Sequence, residues 1–139
     1  MLDAEGRFIH DGMLVEHASM ARAFASWIQR HPDDGRFILS NGYDWTYFAV
    51  EDVPFFVDAV KDVRGEPWLV LSDGTEERMD PRTLRAGSTG ALYLRVKSGA
   101  FDARFQRFAQ LGLAPWLAET PDGDVELVIS GVRYKVASC

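Results

Sequence analysis

The 139-residue chain holds one cysteine, Cys139, in last place. One thiol cannot close an intrachain disulfide, and it cannot build a cysteine-based metal cluster. A chain that folds without disulfides reads as a protein of a reducing compartment, so a cytoplasmic location is expected. Histidine is nearly as scarce. His10, His17 and His31 fall in a predicted turn, at a helix start and at a helix end. They form no His-x-x-x-His pair and have no Cys partner, so zinc is not expected. His10-Asp11 could act as an acid–base pair only if a cleft formed above its turn. No apolar run approaches the roughly 18 residues that span a bilayer, so no membrane partner is expected. Met1-Leu2-Asp3-Ala4-Glu5-Gly6 is acidic and lacks the apolar stretch of a secretory signal. The Gly-x-x-x-x-Gly-Lys-Ser/Thr phosphate loop, Gly-x-Gly-x-x-Gly and the Gly-x-Ser-x-Gly elbow are all missing. The cofactor, if there is one, and any catalytic residue stay unknown from the sequence.

What the chain does have is apolar and aromatic material. Hydrophobic residues make up 47% and aromatics 12%, enough to bury a core in one domain or two small lobes. The net charge of −6 is uneven: residues 1–80 carry 16 acids and 7 bases, whereas residues 81–139 carry 5 acids and 8 bases. The acidic first part argues against nucleic acid as a partner. The positive second part suits an anionic ligand, the first part of a second copy, or the first lobe of the same chain.

The clearest local signal is Ser40-Asn41-Gly42-Tyr43. Asn and Gly both tolerate the positive φ of a type I′ hairpin turn, and Asp44 lengthens the loop if it joins in. Strands are expected at Arg36–Leu39 and Trp45–Val50 on either side. Pro54 marks a strand start, and Phe55–Val63 alternates, with Asp58 and Asp62 on a wet face. Upstream, Arg7–Ile9 and Met13–Val15 read as a small hairpin. The spacing of Met20, Ala23, Phe24, Trp27 and Ile28 predicts a helix over Glu16–His31, stopped by Pro32. Downstream come short strands at Trp68–Leu71, Thr75–Met79 and Ala91–Val96, and a capped turn at Asp80–Leu84. Phe101, Phe105, Phe108 and Ala109 predict a second helix that starts at Ser98 or Gly99 and ends at Gly112. Val125–Ile129 and Val132–Val136 form a last hairpin. The expected class is α+β: two small curved antiparallel sheets built of hairpins, each packed against one helix. A boundary in the loose stretch Arg85–Gly90 divides lobe 1–86 from lobe 87–139, unless both share one compact domain.

The run from Asp33-Asp34-Gly35-Arg36-Phe37 to Val50-Glu51-Asp52-Val53-Pro54-Phe55-Phe56 resembles two uncharacterised families. One is the bacterial domain-of-unknown-function family numbered 1285, with a similar Val-Glu-Asp-x-Pro-Phe run after a hairpin. The other is the family numbered 4505, to which Pro81-Arg82-Thr83-Leu84 and Gly90-Ala91-Leu92-Tyr93 are also similar. Both resemblances imply a compact, β-rich intracellular protein, and neither carries over a catalytic residue.

Three sets of residues stand out as sites. Asp44, Glu51 and Asp52 are ligand or metal candidates around an oxygen-lined cleft. Adjacent Glu51 and Asp52 point to opposite faces of a strand unless Pro54 bends it. Tyr43, Trp45, Tyr47 and Phe56 belong to a dense aromatic group and are interface candidates. Arg95, Lys97, Arg133 and Lys135 are anion-binding candidates if their strands are neighbours. The reading that follows is a binding or interaction module that self-associates as a homo-oligomer through the aromatic hairpin. The alternative is a small-molecule or metal-assisted enzyme with its cleft near Asp44, Glu51 and Asp52. RNA binding on the basic face is a third reading.

Overall fold

A computed structural model describes all residues, Met1–Cys139. It is a mixed α+β fold, mostly strands, with two helices and several antiparallel sheets. In chain order the elements are β1 (Ile9–His10), β2 (Met13–Leu14), α1 (Ala18–Ser26), β3 (Ile28–Arg30), β4 (Phe37–Ser40) and β5 (Trp45–Tyr47). Next come β6 (Phe55–Val63), β7 (Glu66–Leu71), β8 (Glu76–Arg78), β9 (Arg85–Ala86), β10 (Leu92–Val96) and β11 (Phe101–Phe105). The chain continues with α2 (Arg107–Leu113), β12 (Leu117–Glu119), β13 (Val125–Ile129), β14 (Val132–Lys135) and β15 (Ala137–Ser138).

One seven-stranded sheet, in the order β15-β9-β10-β11-β6-β7-β8, dominates in place of two small ones. It draws strands from both sides of residue 86. Two antiparallel blocks, β6-β7-β8 and β9-β10-β11, meet at a parallel seam where Phe55 pairs with Ala103 and Val57 with Phe105. The sheet curls strongly. Four inter-strand steps separate β10 from β8, roughly 19 Å if flat. Yet the Lys97 N–H, just past β10, donates to the Glu77 carboxylate of β8 at 3.1 Å. Inside the curl lies one apolar cluster of 19 buried residues that runs from Leu2 to Leu127 and includes Val57, Leu69, Leu94 and Phe105. Two three-stranded antiparallel sheets, β3-β4-β5 and β12-β13-β14, and the β1-β2 hairpin complete the fold.

Both helices are shorter than their sequence patterns predict. α1 ends at Ser26, and Ile28–Arg30 is a strand that pairs with Phe37–Leu39 of β4. The β-branched Ile28 gains a ladder partner and core burial there, which outweighs the helical register. The buried face of α1 is also rotated: Ala25 is its one fully buried residue, while Met20 is 51% exposed. Phe101–Phe105 is not helical at all. It is β11, with Phe101, Ala103 and Phe105 on its inner face. Lys97, Ser98 and Gly99 all have positive φ, so this segment is a tight turn between β10 and β11, not a helix cap. α2 begins only at Arg107 and buries Ala109 and Leu113. Gly112 brings α2 close to β6, since a Cβ there would lie 3.5 Å from Val60 Cβ. Phe108, expected on the buried face, is 74% exposed. The short helical turn at Pro81–Thr83 follows its sequence signature, with the Asp80 carboxylate accepting from the Arg82 N–H at 3.2 Å.

Candidate functional site

The Asn41-Gly42 turn is a four-residue loop, because β4 ends at Ser40 and β5 begins at Trp45. Asn41 shapes it through its side chain: Oδ1 accepts from the Tyr43 N–H at 2.9 Å and the Asp44 N–H at 2.8 Å. Such an Asx turn needs no positive φ at Asn41. It lifts Tyr43 into solvent at 95% exposure, while Trp45 and Tyr47 are 51% and 37% exposed. β5 is an edge strand, bonded on one side to β4. Beyond that ladder, the only bond to the backbone of Trp45, Thr46 or Tyr47 is local: the Thr46 hydroxyl donates to the Tyr47 carbonyl at 3.3 Å.

The rings along β5 form a connected group. Trp45 and Tyr47 meet edge to face with centroids 5.1 Å apart. His31 lies 4.8 Å from Trp45 and 5.6 Å from Tyr47. The Arg36 guanidinium sits 3.9 Å from the Tyr47 ring centre. The Tyr47 hydroxyl donates to Asp34 Oδ2 at 2.6 Å. That bond lowers the Asp34 carboxyl below its ordinary range and raises the Tyr47 phenol. The rings are thus held in place by neighbours on the preceding loop. Beside them is a hollow of about 300 Å³, lined by Phe24, Trp27, Leu39, Trp45, Asp44 and His10. His10 reaches this hollow from β1, a placement not visible from its turn sequence.

Phe56 does not belong to this surface. It is 2% exposed, because the N-terminal segment covers the outer face of β6. A Cβ on Gly6 would come within 2.9 Å of the Phe56 ring, and Gly6 has φ +88. Only glycine lets the backbone lie so close in that conformation.

The three carboxylates expected to share a cleft are engaged separately. Asp44 lines the aromatic hollow. Glu51 Oε2 accepts from the Ala4 N–H at 3.3 Å. Asp52 Oδ2 accepts from the Tyr93 hydroxyl at 2.7 Å and lies 3.6 Å from Arg104. Burial, and then the bond to Asp52, raise the Tyr93 phenol. No group of three or more His, Cys, Asp or Glu side chains converges as metal ligands would. The four cations also divide. Arg95 and Lys97 extend from the β10 end of the large sheet, whereas Arg133 and Lys135 lie on β14 in another sheet. Arg95 pairs with Asp102 at 3.2 Å, Lys97 with Asp73 at 2.7 Å and Arg133 with Glu126 at 2.8 Å. Burial pushes the Asp73 carboxyl up, but bonds from Lys97 and Thr75 outweigh it and leave the group lowered.

One feature escaped the sequence. Asp58 sits where the β6–β7 register shifts, between Val57 and Ala59. It lines a hollow of about 230 Å³ with Arg22, Ser72, Gln106 and Phe56. The alternation of β6 marks Asp58 only as a wet-face residue. Nothing in the sequence shows that α1 crosses above it.

No helix is long and apolar enough to cross a membrane. No family model matches the chain, and no curated protein matches it. Two solved structures are similar to it. A DUF1285 family protein from Silicibacter pomeroyi DSS-3 matches with a TM-score of 0.71 and 23% identity, over 98% of this chain and 78% of that one. A DUF1285 family protein from Shewanella baltica OS155 matches with a TM-score of 0.59 and 21% identity, over 76% of this chain and 82% of that one. At these identities the likeness shows the fold. It supports the resemblance to the family numbered 1285 and does not show the one to the family numbered 4505.

Proposed function

We propose that this chain is an interaction module that associates with a second copy of itself through β5. The observation that carries the reading is the open outer edge of Trp45-Thr46-Tyr47. Edge strands are usually protected by charge, proline or a bulge. Within its span β5 has none of these. Antiparallel pairing about a two-fold axis at Thr46 sets each Trp45 opposite the partner's Tyr47. Such a contact is self-complementary, as a two-fold interface must be. Cross-strand aromatic pairs contribute roughly 0.2–1 kcal/mol each. The strand is short, so the dimer is expected to be weak, with a Kd of about 10–100 μM.

Sedimentation equilibrium across that concentration range tests the reading. Wild type should approach dimer at the top of the range, while Trp45→Ala and Thr46→Lys remain monomeric with unchanged far-UV circular dichroism. A wild type that stays monomeric at about 100 μM, or variants that dimerise as well as wild type, would overturn it.

A further inference from the structure

Arg22 and Asp58 share a property that sets them apart from most charged side chains here. Both line the hollow under α1 while remaining open to solvent, and neither makes an ion pair or a side-chain hydrogen bond. The Arg22 stem passes over Gly74, its Cδ 2.9 Å from where a Cβ there would be. Asp58 is turned toward the hollow by the irregularity in β6, a common way to re-aim a side chain. Burial raises the Asp58 carboxyl, the charge of Arg22 opposes this, and that of Asp73 adds to it. Asp73 is itself occupied by Lys97 and Thr75. No ion pair joins Arg22 and Asp58 across the hollow.

The remaining wall is mixed. The Phe56 ring gives an apolar surface. Ser72 Oγ already accepts from the Phe56 N–H at 3.1 Å, which leaves its own proton to donate. Gln106 Nε2 donates one N–H to the Glu5 carbonyl at 3.0 Å, which leaves its oxygen as an acceptor. Drug-sized sites run to roughly 300–1,000 Å³, so this hollow of about 230 Å³ suits a small metabolite.

We infer that the hollow binds a small zwitterion, a free α-amino acid, with its carboxylate on Arg22 and its ammonium on Asp58. A guanidinium offers a carboxylate two parallel N–H donors, and Asp58 accepts from the ammonium. The Ser72 hydroxyl and Gln106 oxygen are free for a short polar side chain. One neutral molecule thereby offers a counter-charge to each. This site is separate from β5 and stands whether or not the chain dimerises.

The test is calorimetric titration and thermal melting of the full chain with each of the twenty common amino acids alone. At least one should bind and raise the melting temperature by mass action. Its decarboxylated amine and its deaminated acid should each bind wild type about ten- to a hundredfold more weakly, the loss expected for one charged contact. Asp58→Asn and Arg22→Gln should each lose a similar factor. The inference is overturned if no amino acid binds. It is also overturned if the acid alone binds as well as the amino acid, which would make this a plain anion site. The two analogues need no variant, so the comparison holds even if a substitution disturbs folding.

Discussion

The large curled sheet and the small β3-β4-β5 sheet are made of the same kinds of residue and treat them in opposite ways. In the large sheet, the inward residues of β6, β7, β10 and β11 are sealed from water, and its paired charges hold the curl closed. In the small sheet, β4 packs Phe37 and Leu39 against the core and buries Ile38 on its other face, but all three residues of β5 are exposed. Strand alternation sorts side chains only where something covers one face. Along β5 nothing in the chain does, and aromatic rings that would be core elsewhere become surface. Apolar composition therefore marks the stabilising part of this protein less sharply than the number of covered faces does.

That contrast can be broken first at Leu94, which is fully buried in β10. Leu94→Ala should cost about 2–5 kcal/mol, read as a lower urea midpoint at unchanged m-value. A loss under about 1 kcal/mol would mean the large sheet is not where stability resides.

A smaller effect is expected at Asp73, whose bond to Lys97 ties the β7–β8 turn to the β10–β11 turn. Asp73→Asn should cost about 2–3 kcal/mol at pH 7, below the full cost of breaking a buried pair because Lys97 is partly exposed. The carboxyl is lowered in the folded state. Its contribution is therefore present above the ordinary carboxylate value, and is lost as pH falls through the lowered one. The gap between wild type and variant should shrink as pH falls below the ordinary carboxylate range. A gap constant with pH would show that charge is not the cause.

The smallest effect on stability is expected at Trp45. Trp45→Ala should change the urea midpoint of the monomer by less than about 1 kcal/mol, because the ring is half-exposed. A large loss would place Trp45 in the core rather than on a surface.

Several hairpins, in the large sheet and outside it, were legible because their strands are joined by tight turns with clear signatures. Arg64-Gly65 and Ser130-Gly131 both take positive φ at each residue, which joins β6 to β7 and β13 to β14. The helices were misread for a specific reason. Phe101 and Phe105 are four apart, a spacing that satisfies both a helix and a strand. Ala103 between them favours a strand and Phe108 beyond them a helix, and only pairing with Tyr93–Val96 and Phe55–Val57 decides. Ile28 is similar, since its partner Leu39 lies beyond the turn. At the surface, the exposed rings of β5 were legible and the burial of Phe56 was not. The latter depends on Gly6, far away in sequence. For the same reason the juxtaposition of Arg22 and Asp58 could not be read, since one is on a helix and the other on a strand.

The parallel seam between β6 and β11 also sets an order in time. β6, β7 and β8 are linked by short turns, and so are β10 and β11, so each block can zip up locally. Joining the blocks closes a much longer loop, and closure entropy must be met before the contacts across it help. Until that step, Phe55, Val57, Ala103 and Phe105 lack their neighbours across the seam. The refolding chain is therefore expected to pass its highest barrier at the seam. The interval in which it is most exposed to aggregation ends when Phe55 finds Ala103.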